Sequence, residues 1–219
     1  DCVYTGNRYR YDLVPWIANN NLKPKSKLFT LHIAQHTSGY EYALKHIRRA
    51  ARLKDIEVSP WYFKQINNAR NNGACPEVMW PYVYTEDVNV NNYYQRVVDR
   101  CNANGWRNNA FRDSSFDDEN LFTNAEARNV VERAFLKEGA RLILAAENPA
   151  ESMRPLGFEK LESLGFGSVF VTFRNISNNC PLVLWFGDPD SYGIGILGMW
   201  YPLFPRKTNG QGWDWEDIF

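Results

Sequence analysis

Apolar positions recur at helical spacing in several stretches of the chain. Over Tyr40 to Lys54, Tyr40, Leu44, Ile47 and Ala51 share one face, with Ala43 and Ala50 beside them. Lys45, Arg48, Arg49 and Arg52 take the other faces, so the spacing predicts an amphipathic helix. Asn92 to Asn104 reads as a second helix, stopped by Gly105. Thr123-Asn124-Ala125-Glu126 has the form of a capping box and opens a strong helix over Asn124 to Glu138, which Gly139 is placed to end. Ser59-Pro60 reads as a helix start. That helix would carry Trp61, Phe63 and Ile66 and stop at Asn71-Asn72-Gly73.

Other stretches favour strands. Lys27 to Ile33 alternates in part, and Ser38-Gly39 breaks it. Val78 to Tyr84 suits a short edge strand, because Pro81 is poorly placed for a central one. Ala140 to Ala146 is a short apolar run that reads as a buried strand. Ser168 to Arg174 and Leu182 to Phe186 flank a polar turn and suggest a hairpin. Helices fill the first two thirds and strands the last. The expectation is an α+β fold: helices packed on one face of a mostly antiparallel sheet. No shift in composition marks a boundary, so residues 1–219 read as a single globular domain, with 206–219 as a possible flexible C-terminal tail.

Composition narrows the class. Hydrophobic residues make up 44% and charged residues 23%, which argues against disorder. Lys plus Arg and Asp plus Glu both number 25, so the basic excess of a general nucleic-acid binder is missing. No run of about eighteen apolar residues predicts a membrane span. Aromatic residues reach 15%, enough for a rich core with some rings left for a binding surface.

Cys2, Cys75, Cys101 and Cys180 are widely spaced and form no C-x-x-C pair. That spacing suits two disulfides in an oxidising compartment better than zinc. Three pairings are open, with a lean to Cys75–Cys101 and Cys2–Cys180. The start at Asp1-Cys2-Val3 looks like a chain after signal-peptide removal, and Asn175-Ile176-Ser177 is a glycosylation sequon. Together these predict a secreted, extracellular glycoprotein.

Candidate chemistry is sparse. His32 and His36 stand four apart, but Ile33 replaces the glutamate that a zinc peptidase needs, so they are weak metal candidates. No nucleophile elbow, P-loop or dinucleotide fingerprint occurs, and no cofactor is expected. Asp188 to Gly193 has the first half of a calcium-loop pattern, yet Met199 stands at its twelfth position. Glu147, Asp188 and His36 are weak catalytic candidates, with Glu151 as a possible acid–base partner. Arg48, Arg49 and Arg52 form a basic helix stripe, and Trp213 and Trp215 mix with acids near the end of the chain. These five are weak partner-binding candidates.

Thr123 to Phe166 resembles part of a GNAT-type acyltransferase. The resemblance rests on a helix, a strand at Leu142 to Ala146, Asn148, and a helix ending in Leu164-Gly165-Phe166. It covers about a fifth of the chain. The glycine-rich acyl-CoA loop of that family is absent, and Ser114 to Asn120 stands in its place. The leading functional reading is a secreted interaction protein, an effector-, inhibitor- or toxin-like binder of an extracellular protein target. A secreted hydrolase with an unrecognised carboxylate or histidine site is the alternative, and a degenerate GNAT-like acyltransferase the third.

Overall fold

The computed structural model describes residues 2–70, 75–113, 116, 119–146, 148–172, 176–187 and 202–204. The chain divides into two compact units, Asp1–Val78 and Met79–Phe219.

The first unit alternates strands and helices: β1 (Cys2–Val3), α1 (Asn7–Asn19), β2 (Lys27–His36), α2 (Thr37–Arg52) and β3 (Glu57–Ile66). The sheet order is β1-β2-β3 and both pairings are parallel, with Cys2 opposite Ala34 and Leu31 opposite Trp61. The expected antiparallel sheet is therefore wrong. Each strand is joined to its neighbour through a helix, and such a crossover returns the chain in the same direction.

β3 corrects the helix expected after Ser59-Pro60. Parallel pairing of this segment with β2 prevails over the local helix-start signal. Among the described residues β3 is an edge strand of this sheet, a position that tolerates a proline such as Pro60. Leu28 and Val58 face the helices and join Ile17, Ala43, Leu44, Ile47, Ala51 and Ile56 in a core. Each large aliphatic side chain fully buried there contributes about 1.5–3 kcal/mol. The opposite face carries Phe29, Leu31, Ile33, Trp61 and Phe63, all exposed.

The second unit contains α3 (Val88–Asn104) and α4 (Ala125–Ala145). Asp87 caps α3 by accepting from Asn89 and Val90 N–H, and Gly105 ends it in the left-handed region at φ 65°. Asn124 rather than Thr123 caps α4, accepting from Ala127 N–H at 2.8 Å. α4 runs straight through Gly139 and through the stretch expected to be a strand. Gly139 is there for packing: a Cβ would lie 2.6 Å from the Pro155 carbonyl oxygen. Val78 to Tyr84 gives one isolated parallel bridge, Tyr82 with Arg112. Among the described residues, the stretch expected to be a hairpin shows an isolated antiparallel bridge between Val171 and Ile176 and a 3-10 turn over Leu182–Leu184. Among the described residues no helix is long and apolar enough to cross a membrane.

All four cysteines are free thiols, with Cys75, Cys101 and Cys180 buried. This corrects the two expected disulfides. Cys101 and Cys180 behave as small apolar residues within the second unit's core. Burial pushes the Cys2 and Cys101 thiols up, which disfavours the reactive thiolate. The inference to a secreted, disulfide-bonded effector loses its main support with them.

Candidate functional site

In an open parallel sheet, ligands gather at the carboxyl ends of the strands, where the connecting loops and helix N-termini converge. In the first unit that edge is built from three short turns. Tyr4-Thr5-Gly6 follows β1, Thr37-Ser38-Gly39 opens α2, and Asn67-Asn68-Ala69 follows β3.

The first two turns interlock. Gly6 caps α1 with φ 73°, a conformation that glycine adopts without a Cβ penalty. A Cβ on Gly6 would lie 1.9 Å from the Gly39 carbonyl oxygen, and one on Gly39 would lie 1.8 Å from the Tyr4 carbonyl oxygen. Two bare backbones are thus needed for the starts of α1 and α2 to approach. No side chain of the capping residue closes either helix start.

The third turn ties itself to α2. Asn68 Oδ1 accepts from Ser38 N–H and from Thr37 Oγ1, each at 3.0 Å. Asn68 Nδ2 donates to Ser38 Oγ at 2.6 Å. Glu77 holds the turn from behind, accepting from Asn67 N–H at 2.8 Å and pairing with Lys64 at 2.5 Å.

Beneath this edge lie Gln35 and His36, both fully buried at the end of β2. Neither amide atom of Gln35 has a hydrogen-bond partner. His36 Nδ1 donates to the Val3 carbonyl at 3.2 Å, and its ring stacks on Tyr4 with centroids 5.0 Å apart. His32 is buried edge-on against Tyr9, centroids 4.6 Å apart, with Nε2 unpartnered. The two histidines lie on one strand, not one helical face. Among the described residues no cluster of three or more His, Cys, Asp or Glu forms around them.

Burial takes His36 down to about 4, against the opposing pull of the Val3 carbonyl and the Glu77 charge. Burial lowers His32 as well. In the unfolded chain a histidine titrates near 6.5. As pH falls from about 6.5 to 4, the unfolded chain takes up a proton that the folded one refuses, so stability is lost on acidification. The His36 contribution is on the order of 3 kcal/mol. Urea midpoints at pH 7 and pH 4.5 should fall less in His36→Gln than in the wild type, and equal falls would show that His36 does not carry the effect.

The second unit holds a buried ionic network. Arg112 Nε donates to the Trp80 carbonyl at 2.8 Å, and its Nη2 to Glu132 Oε2 at 3.1 Å. Arg128 grips Glu119 with two nitrogens, at 2.6 and 3.0 Å, and Glu132 Oε1 at 2.8 Å. Burial would raise Glu119, but Arg128 and the Leu121 and Phe122 N–H groups hold it below the usual carboxylate range. Phe116 lies under both guanidiniums, 5.2 and 5.5 Å from its centroid. So fully saturated a network reads as structural.

The remaining candidates are scattered. Arg48, Arg49 and Arg52 are exposed on α2, and Arg49 and Arg52 lie in its last turn, where cations oppose the helix dipole. Glu151 is exposed in the second unit. Glu147, Asn175, Asp188, Trp213 and Trp215 lie outside the described residues. The strand required by the acyltransferase resemblance is absent, because Leu142 to Ala145 completes α4. Sequence reasoning passed over the interlocked turns. The signal was there in two small-residue pairs, Thr5-Gly6 just before α1 and Ser38-Gly39 in the first turn of α2.

No curated protein and no solved structure matches this chain. A protein family does: PRTase-CE matches residues 1–206.

Proposed function

The chain belongs to the PRTase-CE family, and we propose that its first unit binds a 5-phosphoribosyl group at the carboxyl edge of β1, β2 and β3. The family is phosphoribosyltransferase-like. Transferases of that kind move the 5-phosphoribosyl group from its diphosphate to an acceptor and release pyrophosphate.

The observation that carries the reading is the interlock of Gly6 and Gly39, which brings two helix starts together at one sheet edge. Helix N-termini present N–H groups and a partial positive charge, a ready setting for phosphate oxygens. Thr37, Ser38 and Asn68 add hydroxyl and amide groups suited to ribose hydroxyls. The expectation of an extracellular binder rests in part on disulfides, and all four thiols are free.

Calorimetric titration of the full chain with 5-phosphoribosyl diphosphate, in magnesium-containing buffer, tests the proposal. Saturable binding is expected, with ribose 5-phosphate competing. Asn68→Ala removes the ties between the β3 turn and α2, and is expected to weaken binding about tenfold, or about 1.4 kcal/mol. Lack of binding at millimolar ligand, or full affinity in Asn68→Ala and Gly39→Ala alike, would overturn it.

A further inference from the structure

A cleft of about 120 Å³ opens in the second unit, lined by α3, the end of α4 and the segment 149–162. Its lining mixes apolar Val97, Ile143 and Met153 with Arg96, Arg100 and Arg154. The Arg154 side chain is only 5% exposed. Its Nη1 donates to the Glu151 and Met153 carbonyls at 2.6 and 3.2 Å. Its Nη2 donates to Glu162 Oε1 at 3.2 Å, and that same oxygen accepts from Arg100 Nη1 at 2.9 Å.

One carboxylate oxygen therefore serves two guanidiniums. Arg154 Nε is buried and has no hydrogen-bond partner. Arg96 forms no ion pair among the described residues, so the cleft holds three guanidiniums against the carboxylates of Glu151 and Glu162. Arg154 is the buried one of the three, while Arg96 and Arg100 are exposed at the rim, and a buried donor without a partner in a native fold calls for an ion or water. Tyr93 completes the polar side. Burial pushes its phenol up to about 12, so it remains a protonated donor.

We propose that this cleft binds a small organic anion, with an oxyanion head neutralising Arg96 and Arg154 and an apolar body against Val97 and Met153. The chemistry fits either a carboxylate or a phosphate monoester head. It does not depend on the phosphoribosyl reading, which concerns the first unit.

The test is calorimetric titration of the full chain at low ionic strength with benzoate, phenyl phosphate and inorganic phosphate. One aromatic probe should bind saturably and more tightly than inorganic phosphate, and whichever of the two binds better identifies the head group. Arg96→Gln changes an exposed side chain and should weaken that binding about tenfold. Ala150→Trp, at an exposed lining position, should abolish it. Asn68→Ala, in the first unit, should leave it unchanged. Absence of binding by any probe up to about 10 mM would overturn the proposal. So would unchanged affinity in both Arg96→Gln and Ala150→Trp, or inorganic phosphate binding as tightly as the aromatic probes.

Discussion

Glu132→Ala is expected to destabilise the second unit by about 3–5 kcal/mol, the cost of stripping one partner from a buried ion pair. Glu132 is fully buried and accepts from Arg112, Arg128 and the Trp80 N–H. Removing it leaves two guanidiniums, 1% and 0% exposed: Arg128 keeps Glu119, while Arg112 loses the carboxylate of Glu132. It also orphans a backbone N–H. Glu132→Gln keeps an acceptor while removing the charge, so its loss should be smaller. The readout is the urea midpoint, supported by hydrogen exchange of α4 amides. A loss under about 1 kcal/mol in Glu132→Ala would mean that water or a neighbouring side chain readily replaces the carboxylate.

Gly39→Ala is expected to act on the first unit in two ways. Its Cβ would meet Tyr4 O at 1.8 Å and Thr5 C at 2.7 Å, both backbone atoms that no rotamer change can clear. The turns must separate, at a cost of about 1–3 kcal/mol or more. The same separation should abolish binding of 5-phosphoribosyl diphosphate, because the two helix starts no longer converge. Gly105→Ala serves as the comparison. Unlike Gly39 it has positive φ, but nothing lies within 4 Å of the added Cβ, so the loss should be about 1 kcal/mol, with binding intact. Equal behaviour of the two variants would refute the interlock as the feature that shapes the site.

Several elements were legible without the fold. α2 follows from the apolar stripe of Leu44, Ile47 and Ala51, and α3 from its periodicity and the stop at Gly105. In these the local signals and the tertiary packing agree. α1 was not legible, because Pro15 lies inside it and only Ile17 is fully buried. The candidate site was legible only as isolated Ser-Gly and Thr-Gly turns. Their significance lies in a contact between residues 6 and 39, which no local pattern encodes.

By itself, the sequence determined the apolar stripe of α2, the helical stretch of α3 with its stop at Gly105, and the lack of charge excess, since these depend on spacing and composition within a few residues. Only the tertiary structure decided the direction of the strands, the state of the cysteines and the pairing of the two glycine turns. Strand direction depends on which segments become neighbours across a crossover, so Trp61 and Phe63 suit a helix or a strand until β2 lies beside them. Four widely spaced cysteines are compatible with bridges or with buried thiols. Three-dimensional proximity selects between these, and here it leaves every thiol free.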